Sequence, residues 1–233
     1  MLKITPILCR PHEMDNYAYL LQDVETGVSA VLDASEAEPV AAECEKQNIK
    51  PDFLLVTHHH FDHVEGNLGL KEKYGAKIVG AKADEHRIAG IDITLSDGDL
   101  FSLGKAKAKI IAADGHTIGH ILWYFPEEKA LFTGDTLFNL SIGGLFEGSC
   151  EQMWRSLQKI KQLPDDVLFY PGHEYTIYGV RGLCGEEGEK YRQKALSRLQ
   201  KGLSAGPMTL GEEKICNPYL RAESLEEFER LMG

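Results

Sequence analysis

The stretch LVTHHHFDHVEGN, residues 55–67, sets four histidines and an aspartate into six positions, His58 to His63, directly behind an apolar run. Clustering imidazoles has a cost, because one that protonates repels its neighbours. A single histidine is most often structural or exposed. Four in six residues have no obvious packing value and read as ligands. Side chains alternate in an extended segment, so His58 and His60 point one way and His59 the other. Two imidazoles then face one metal, and Asp62 and His63 can turn towards a second. Zinc accepts both nitrogen and carboxylate ligands, and a catalytic site keeps a position open for water.

Two metals need more donors than this segment holds. DGHTIGH offers His116 between two strand-like runs. FTGDTLF offers Asp135 just past a strand, with Gly134 giving the backbone freedom to turn. YPGHEYT offers His173, again past a strand. Loops at strand ends, held by a rigid sheet, are where reactive groups gather. Asp135 is the natural bridge, since two adjacent dications need anionic oxygen between them. His120 reads as a partner supporting a ligand, and His59 as turned away and hydrogen-bonded. His12 and His86 lack motif context and are expected to be surface or structural.

Outward from this cluster, YAYLLQDV, VSAVLDA, DFLLV, AKIVGA, GIDITL, AKAKIIAA, ILWYF, ALFTG and VLFY read as strands. Ser35 with Glu38 predicts a capping box and a helix from Glu36 towards Asn48. Ser149 with Gln152 predicts another helix start, with Met153, Leu157 and Ile160 as its core-facing stripe. After residue 176 the texture turns charged and helical, in EEGEKYRQKALSRLQKGL and ESLEEFERLM.

The 233 residues carry a formal charge of −11, which argues against nucleic acid and against anionic membrane surfaces. Five cysteines with no C-x-x-C pair read as free thiols in a reducing compartment. The opening MLKITPILCRPH is too short in apolar residues for a signal peptide, so a cytoplasmic location is expected.

THHHFDH with GHT at His116, GDT at Asp135 and GHEYT at His173 resembles the metallo-β-lactamase superfamily. DNYAYLL, HHFDHVEGN, GDTLF, LFEG, PGHEYT and NPYLR follow in the order seen in glyoxalase II, the hydroxyacylglutathione hydrolases. The resemblance implies an α/β fold. Two sheets would pack face to face with helices outside, an αββα sandwich over residues 1–176, with a small helical C-terminal domain over 177–233. It implies two divalent ions per chain, zinc foremost, with iron or manganese as alternatives. His58, His60 and His116 would hold one; Asp62, His63 and His173 the other; Asp135 would bridge them. Asp62 and Asp135 are the expected catalytic carboxylates. The implied reaction is hydrolysis of S-lactoylglutathione or a related acylglutathione to a hydroxy acid and glutathione. A monomer is expected, although the sequence does not fix the oligomeric state. A leaving thiolate, with a conjugate pKa of about 8.5, needs no separate acid.

Gly144, Phe146 and Tyr175 are the candidates for substrate binding; for the two aromatics, the alternative is an ordinary core position. Family members carry Lys or Arg where this chain has Gly144, and a basic tail where it has AESLEEFERLMG. Both departures predict weaker binding of glutathione carboxylates. The competing readings are a mononuclear-iron persulfide dioxygenase, using His58, His116 and Asp135, and a hydrolase of small esters or lactones. A phosphodiesterase or nuclease is disfavoured by the acidic balance, and a metal-free binding module by the complete set of donors.

Overall fold

Alternation within the strands decides how they stack. In β2 (Asn16–Asp23), Tyr17, Tyr19 and Leu21 enter one core while Ala18 and Leu20 enter another. A strand with both faces buried must lie between two layers. The computed structural model describes residues 1–176, 185–201 and 204–233. Along them run β1 (Leu2–Cys9), β2, β3 (Ser29–Leu32), α1 (Ala37–Lys46), β4 (Phe53–Leu55), α2 (Phe61–Val64), α3 (Asn67–Tyr74), β5 (Lys77–Ala81) and β6 (Ile93–Leu95). There follow β7 (Leu100–Leu103), β8 (Ala106–Ala112), β9 (Ile121–Phe125), β10 (Ala130–Gly134), the hairpin β11 (Leu137–Phe138) with β12 (Ser141–Ile142), α4 (Cys150–Lys161) and β13 (Leu168–Pro171). The remainder is α5 (Gly185–Leu199), β14 (Met208–Thr209), α6 (Leu210–Cys216), α7 (Pro218–Arg221) and α8 (Leu225–Met232).

One six-stranded sheet has the order β1-β2-β3-β4-β5-β6, and the other β14-β13-β10-β9-β8-β7. Their inner faces share a core that includes Tyr19, Leu32, Leu55, Phe101, Trp123, Phe125 and Phe132. Outside the first sheet, Val40 and Cys44 of α1 and Leu70 of α3 pack on Leu20, Leu54 and Ile78. Outside the second, Met153, Leu157 and Ile160 of α4 join Leu220 and Phe228 against Leu122, Leu131 and Phe169. The layers are helix, sheet, sheet, helix, as expected.

Two hydrogen bonds tie the sheets together beside the histidine segment. The Trp123 indole donates to the Val56 carbonyl at 3.1 Å, and the Ile121 amide to the Thr57 carbonyl at 2.9 Å.

The predicted strands are all present, and Ser149 with Gln152 does form a capping box. The box at Ser35 does not form. Glu36 is the N-cap of α1 and makes no side-chain cap bond. The Ser35 hydroxyl instead accepts from Arg10 Nε at 2.9 Å. Cys9, Cys44 and Cys150 are free, as expected. Cys184 lies outside the described residues, as do Gly202 and Leu203 of the predicted C-terminal helix. The expected division after Thr176 falls at the edge of the undescribed stretch 177–184.

Glu213 of α6 is fully buried, where Leu140 N–H donates to Oε1 at 2.9 Å and Asn217 Nδ2 to Oε2 at 2.7 Å. Burial dominates and pushes its carboxyl from 4.5 up to about 8. The fold therefore holds this proton more tightly than the unfolded chain does. The stability it contributes is complete below about 4.5 and is lost as pH rises to about 8. Melting curves across that window should show this loss, and Glu213→Gln should flatten it. An unchanged slope in the variant would exclude Glu213 as its source.

Candidate metal centre

All seven predicted donors meet at one edge of the sandwich, where strands of both sheets end. His58, His60, Asp62 and His63 follow β4. His116 lies between β8 and β9, Asp135 just after β10, and His173 just after β13. Residues 58–60 lie in neither helix nor strand, and residues 61–64 form α2. His58 and His60 face inwards with ring centroids 4.7 Å apart. His59 turns away, with Nδ1 3.3 Å from Asp84 Oδ2. Gly134 takes φ +47°, and a Cβ there would lie 2.5 Å from Thr57 Oγ1. Only glycine makes that turn into Asp135.

Ligand atoms of His58, His60 and His116 lie within 4.8 Å of one another, as do those of Asp62, His63 and His173, and those of His58, His63 and Asp135. Asp135 faces both sides. Its Oδ2 is 3.4 Å from His116 Nε2 and 3.2 Å from His173 Nε2, and its Oδ1 is 3.3 Å from His63 Nε2.

The arrangement fits metal ions. His116 Nε2 and His60 Nδ1 stand 3.0 Å apart, and His63 Nε2 and His173 Nε2 3.3 Å apart. His58 Nε2 is buried with no protein partner. A buried polar atom left unpaired is costly, and a cation between these lone pairs would satisfy them together.

The opposite ring nitrogens are fixed by the protein. Gly144 O accepts from His116 Nδ1 and Met14 O from His173 Nδ1, each at 2.7 Å. A carbonyl can only accept, so both rings carry the proton on Nδ1 and present Nε2. Asp33 Oδ2 lies 3.2 Å from His63 Nδ1, and Thr57 Oγ1 3.0 Å from His58 Nδ1. Burial holds His58 well below its ordinary pKa and His60 at about 4, so both are neutral and ready to coordinate. Burial also disfavours charge on His63 and His173, but Asp135 reverses this and raises both, His173 to about 9.

His120 touches two of the candidate donors. Its Nε2 accepts from the Asp135 amide at 3.1 Å, and its ring stacks on His58. His12 and His86 are exposed. Sequence reasoning missed Asn16, whose Nδ2 donates to Asp62 Oδ2 at 2.8 Å, and it also missed Asp33. Asp33 had a readable signal: like Asp135, it is a carboxylate set directly behind a buried strand.

A cleft of about 240 Å³ opens over the donors, lined by Met14, Phe138, Gly143, Gly144, Phe146 and Tyr175. Tyr175 stacks on His173, with centroids 4.6 Å apart. Phe146 is 72% exposed and meets His60 and His116 edge-on, so it is not a core aromatic.

The family model of the metallo-β-lactamase superfamily matches residues 13–173, which include all seven donors. The chain belongs to this superfamily. Within it, the chain belongs to the hydroxyacylglutathione hydrolases. It is 44% identical to the hydroxyacylglutathione hydrolase of Pelagibacter ubique, over 93% of each chain. It is 43% identical to that of Methylococcus capsulatus, over 99% of this chain and 91% of the relative. Among solved structures, ETHE1 from Myxococcus xanthus aligns over 99% of this chain and 89% of its own, with a TM-score of 0.75 and 24% identity. That likeness speaks for the superfamily fold. No helix among the described residues is long and apolar enough to cross a membrane.

Proposed function

We propose that the chain is a binuclear, metal-dependent thioester hydrolase acting on S-lactoylglutathione or related acylglutathiones. The observation that carries this reading is the Asp135 carboxylate, placed within 3.4 Å of imidazoles from both donor groups. A single-iron centre of two histidines and one aspartate would leave Asp62, His63 and His173 without a task. The relatives' activity, given by their name, favours the same choice.

His58, His60 and His116 would hold one ion, Asp62, His63 and His173 the other, and Asp135 both. Zinc suits these donors, and iron or manganese would fit them too. When bound, such ions supply Lewis acidity, lowering the pKa of water from ~15.7 towards ~7 and stabilising a developing oxyanion.

The chain's own residues do the rest. Gly144 O, Met14 O and Asp33 fix the imidazole orientations. Phe138, Phe146 and Tyr175 wall the cleft against water. Burial opposes the charge on Asp62, but His173, His63 and Asn16 overcome it and hold its carboxyl far below the usual range. It is therefore ionised near neutral pH and cannot serve as an acid, which a thiolate leaving group does not require. Every residue lining the cleft among those described precedes 177. In this reading residues 1–176 carry the chemistry, and the mainly helical part after them adds β14 to the edge of the second sheet and packs Leu220 and Phe228 on its outer face. A monomer in a reducing, cytoplasmic setting suits the free thiols of Cys9, Cys44 and Cys150.

The test is turnover of S-lactoylglutathione by metal-analysed protein, with simple thioesters alongside and oxygen uptake on a persulfide as the counter-assay. Fully metallated protein that consumes oxygen but leaves thioesters intact would overturn the proposal.

Gly144 bears on the carrier. Its backbone is not in the left-handed region, and a Cβ there would meet only Phe146 Cε2, at 3.5 Å. Gly144→Arg should fold and place a cation at the cleft. A charge-assisted contact is worth ~1.5–3 kcal/mol, so KM for S-lactoylglutathione should fall roughly ten- to a hundredfold, with a smaller change in kcat. An unchanged KM in a well-folded variant would direct the search to Lys190, Arg192, Lys194 and Arg198.

A further inference from the structure

Phe146 raises a question that its neighbours answer. A ring so exposed has little packing to hold it, yet it stands 5.4 Å from the His60 ring and 5.1 Å from that of His116. Its backbone is tethered, since Phe146 N–H donates to His116 O at 3.1 Å and Gly148 N–H to Gly115 O at 3.0 Å. The next side chain supplies the stronger hold. Arg87 Nη1 donates to both oxygens of Glu147, at 2.8 and 2.9 Å, and the Ile118 amide donates to Oε2 at 2.8 Å. His59 Nε2 lies 3.4 Å from Oε1. Arg87 is itself fixed by Nη2, which donates to Asp84 and to the Ile118 carbonyl. Asp84 is fully buried and also meets His59 Nδ1 at 3.3 Å. Space here is tight: a Cβ on Gly119 would lie 2.6 Å from Asp84 Oδ1. One carboxylate thus joins the histidine segment, the turn holding Arg87, the loop after His116 and the strap bearing Phe146.

We propose that Glu147, gripped by Arg87, is a positioning residue for substrate, acting through Phe146 to hold that ring as the wall of the cleft beside His60 and His116. The proposal rests on the thioester-hydrolase reading and adds a determinant of substrate affinity to it. A charge-assisted pair of this kind sets the scale of the effect. Glu147→Ala should raise KM for an acylglutathione roughly tenfold, with a smaller fall in kcat. In a Phe146→Ala background, the same substitution should raise KM no further, because the group it acts through is gone. Additive effects, or a loss confined to kcat with KM unchanged, would overturn the proposal.

A second readout needs neither metal nor turnover. With 4-fluorophenylalanine at position 146 of the full chain, the fluorine resonance should move towards the solvent-exposed value in Glu147→Ala. An unmoved resonance would also overturn the proposal. If the wild-type protein hydrolysed no acylglutathione, the hydrolase reading would fall, while the resonance would still decide whether Glu147 holds the strap. Should Glu147→Ala fail to fold, Glu147→Gln, which keeps the shape and removes the charge, carries the same measurements.

Discussion

Asp135→Ala is expected to abolish thioester hydrolysis, with kcat falling by more than about a thousandfold, and to lower the metal content of the purified protein. The magnitude follows from what is removed. Losing one preorganised group that stabilises developing charge costs about a hundred- to a thousandfold, and Asp135 would serve two ions at once. The fold should survive, because the side chain lies in a loop and touches His63, His116 and His173 but no apolar cluster. Circular dichroism should match the wild type, and elemental analysis should show the loss. His60→Ala should behave alike from the other side of the site. Either variant turning over near normally with full metal content would show that the donors have been misassigned.

Metal removal should have the second-largest effect. Elemental analysis of protein reconstituted with zinc or iron should give two ions per chain, and one ion per chain would favour the dioxygenase. Chelation should abolish turnover and lower Tm. A ligand at a hundredfold excess over its Kd stabilises the native state by about 2.7 kcal/mol. For a domain of this size each kcal/mol moves Tm by roughly 2–4 °C, so a fall of roughly 5–10 °C is expected. The facing nitrogens of His116 with His60 and of His63 with His173 would lose their shared partner. A Tm unmoved by chelation in protein shown to be metal-free would mean that the ions contribute nothing to the fold.

The candidate donors were legible in the sequence because each is chemically conspicuous and stands just behind an apolar strand. The alternation that separated His59 from His58 and His60 is a local property, and the structure keeps it. Elements whose formation depends on distant partners were not legible. β1 carries Pro6 and a weak burial pattern, and it is recognisable only by its pairing with β2. β7 has four residues, with only Phe101 and Leu103 buried. α3 buries just Asn67 and Leu70 and carries Gly69 within it. Ser35 had the spacing of a cap, but Arg10, 25 residues earlier, took its hydroxyl. Asn16 and Glu147 failed to stand out for the same reason, since their partners lie 46 and 60 residues away.

The donors come from both sheets, and this constrains the order of assembly. The first sheet brings only His58, His60, Asp62 and His63; the second brings His116, Asp135 and His173. Neither half alone can close either of the proposed coordination sets, so metal capture waits for the two halves to dock through contacts such as Trp123 to Val56. During synthesis His173 is the last candidate donor to leave the ribosome, and until then only the set of His58, His60 and His116 has its donors in hand. In the binuclear reading the centre would act as a checkpoint on tertiary assembly: a molecule that held both ions would be one whose sheets have already found each other.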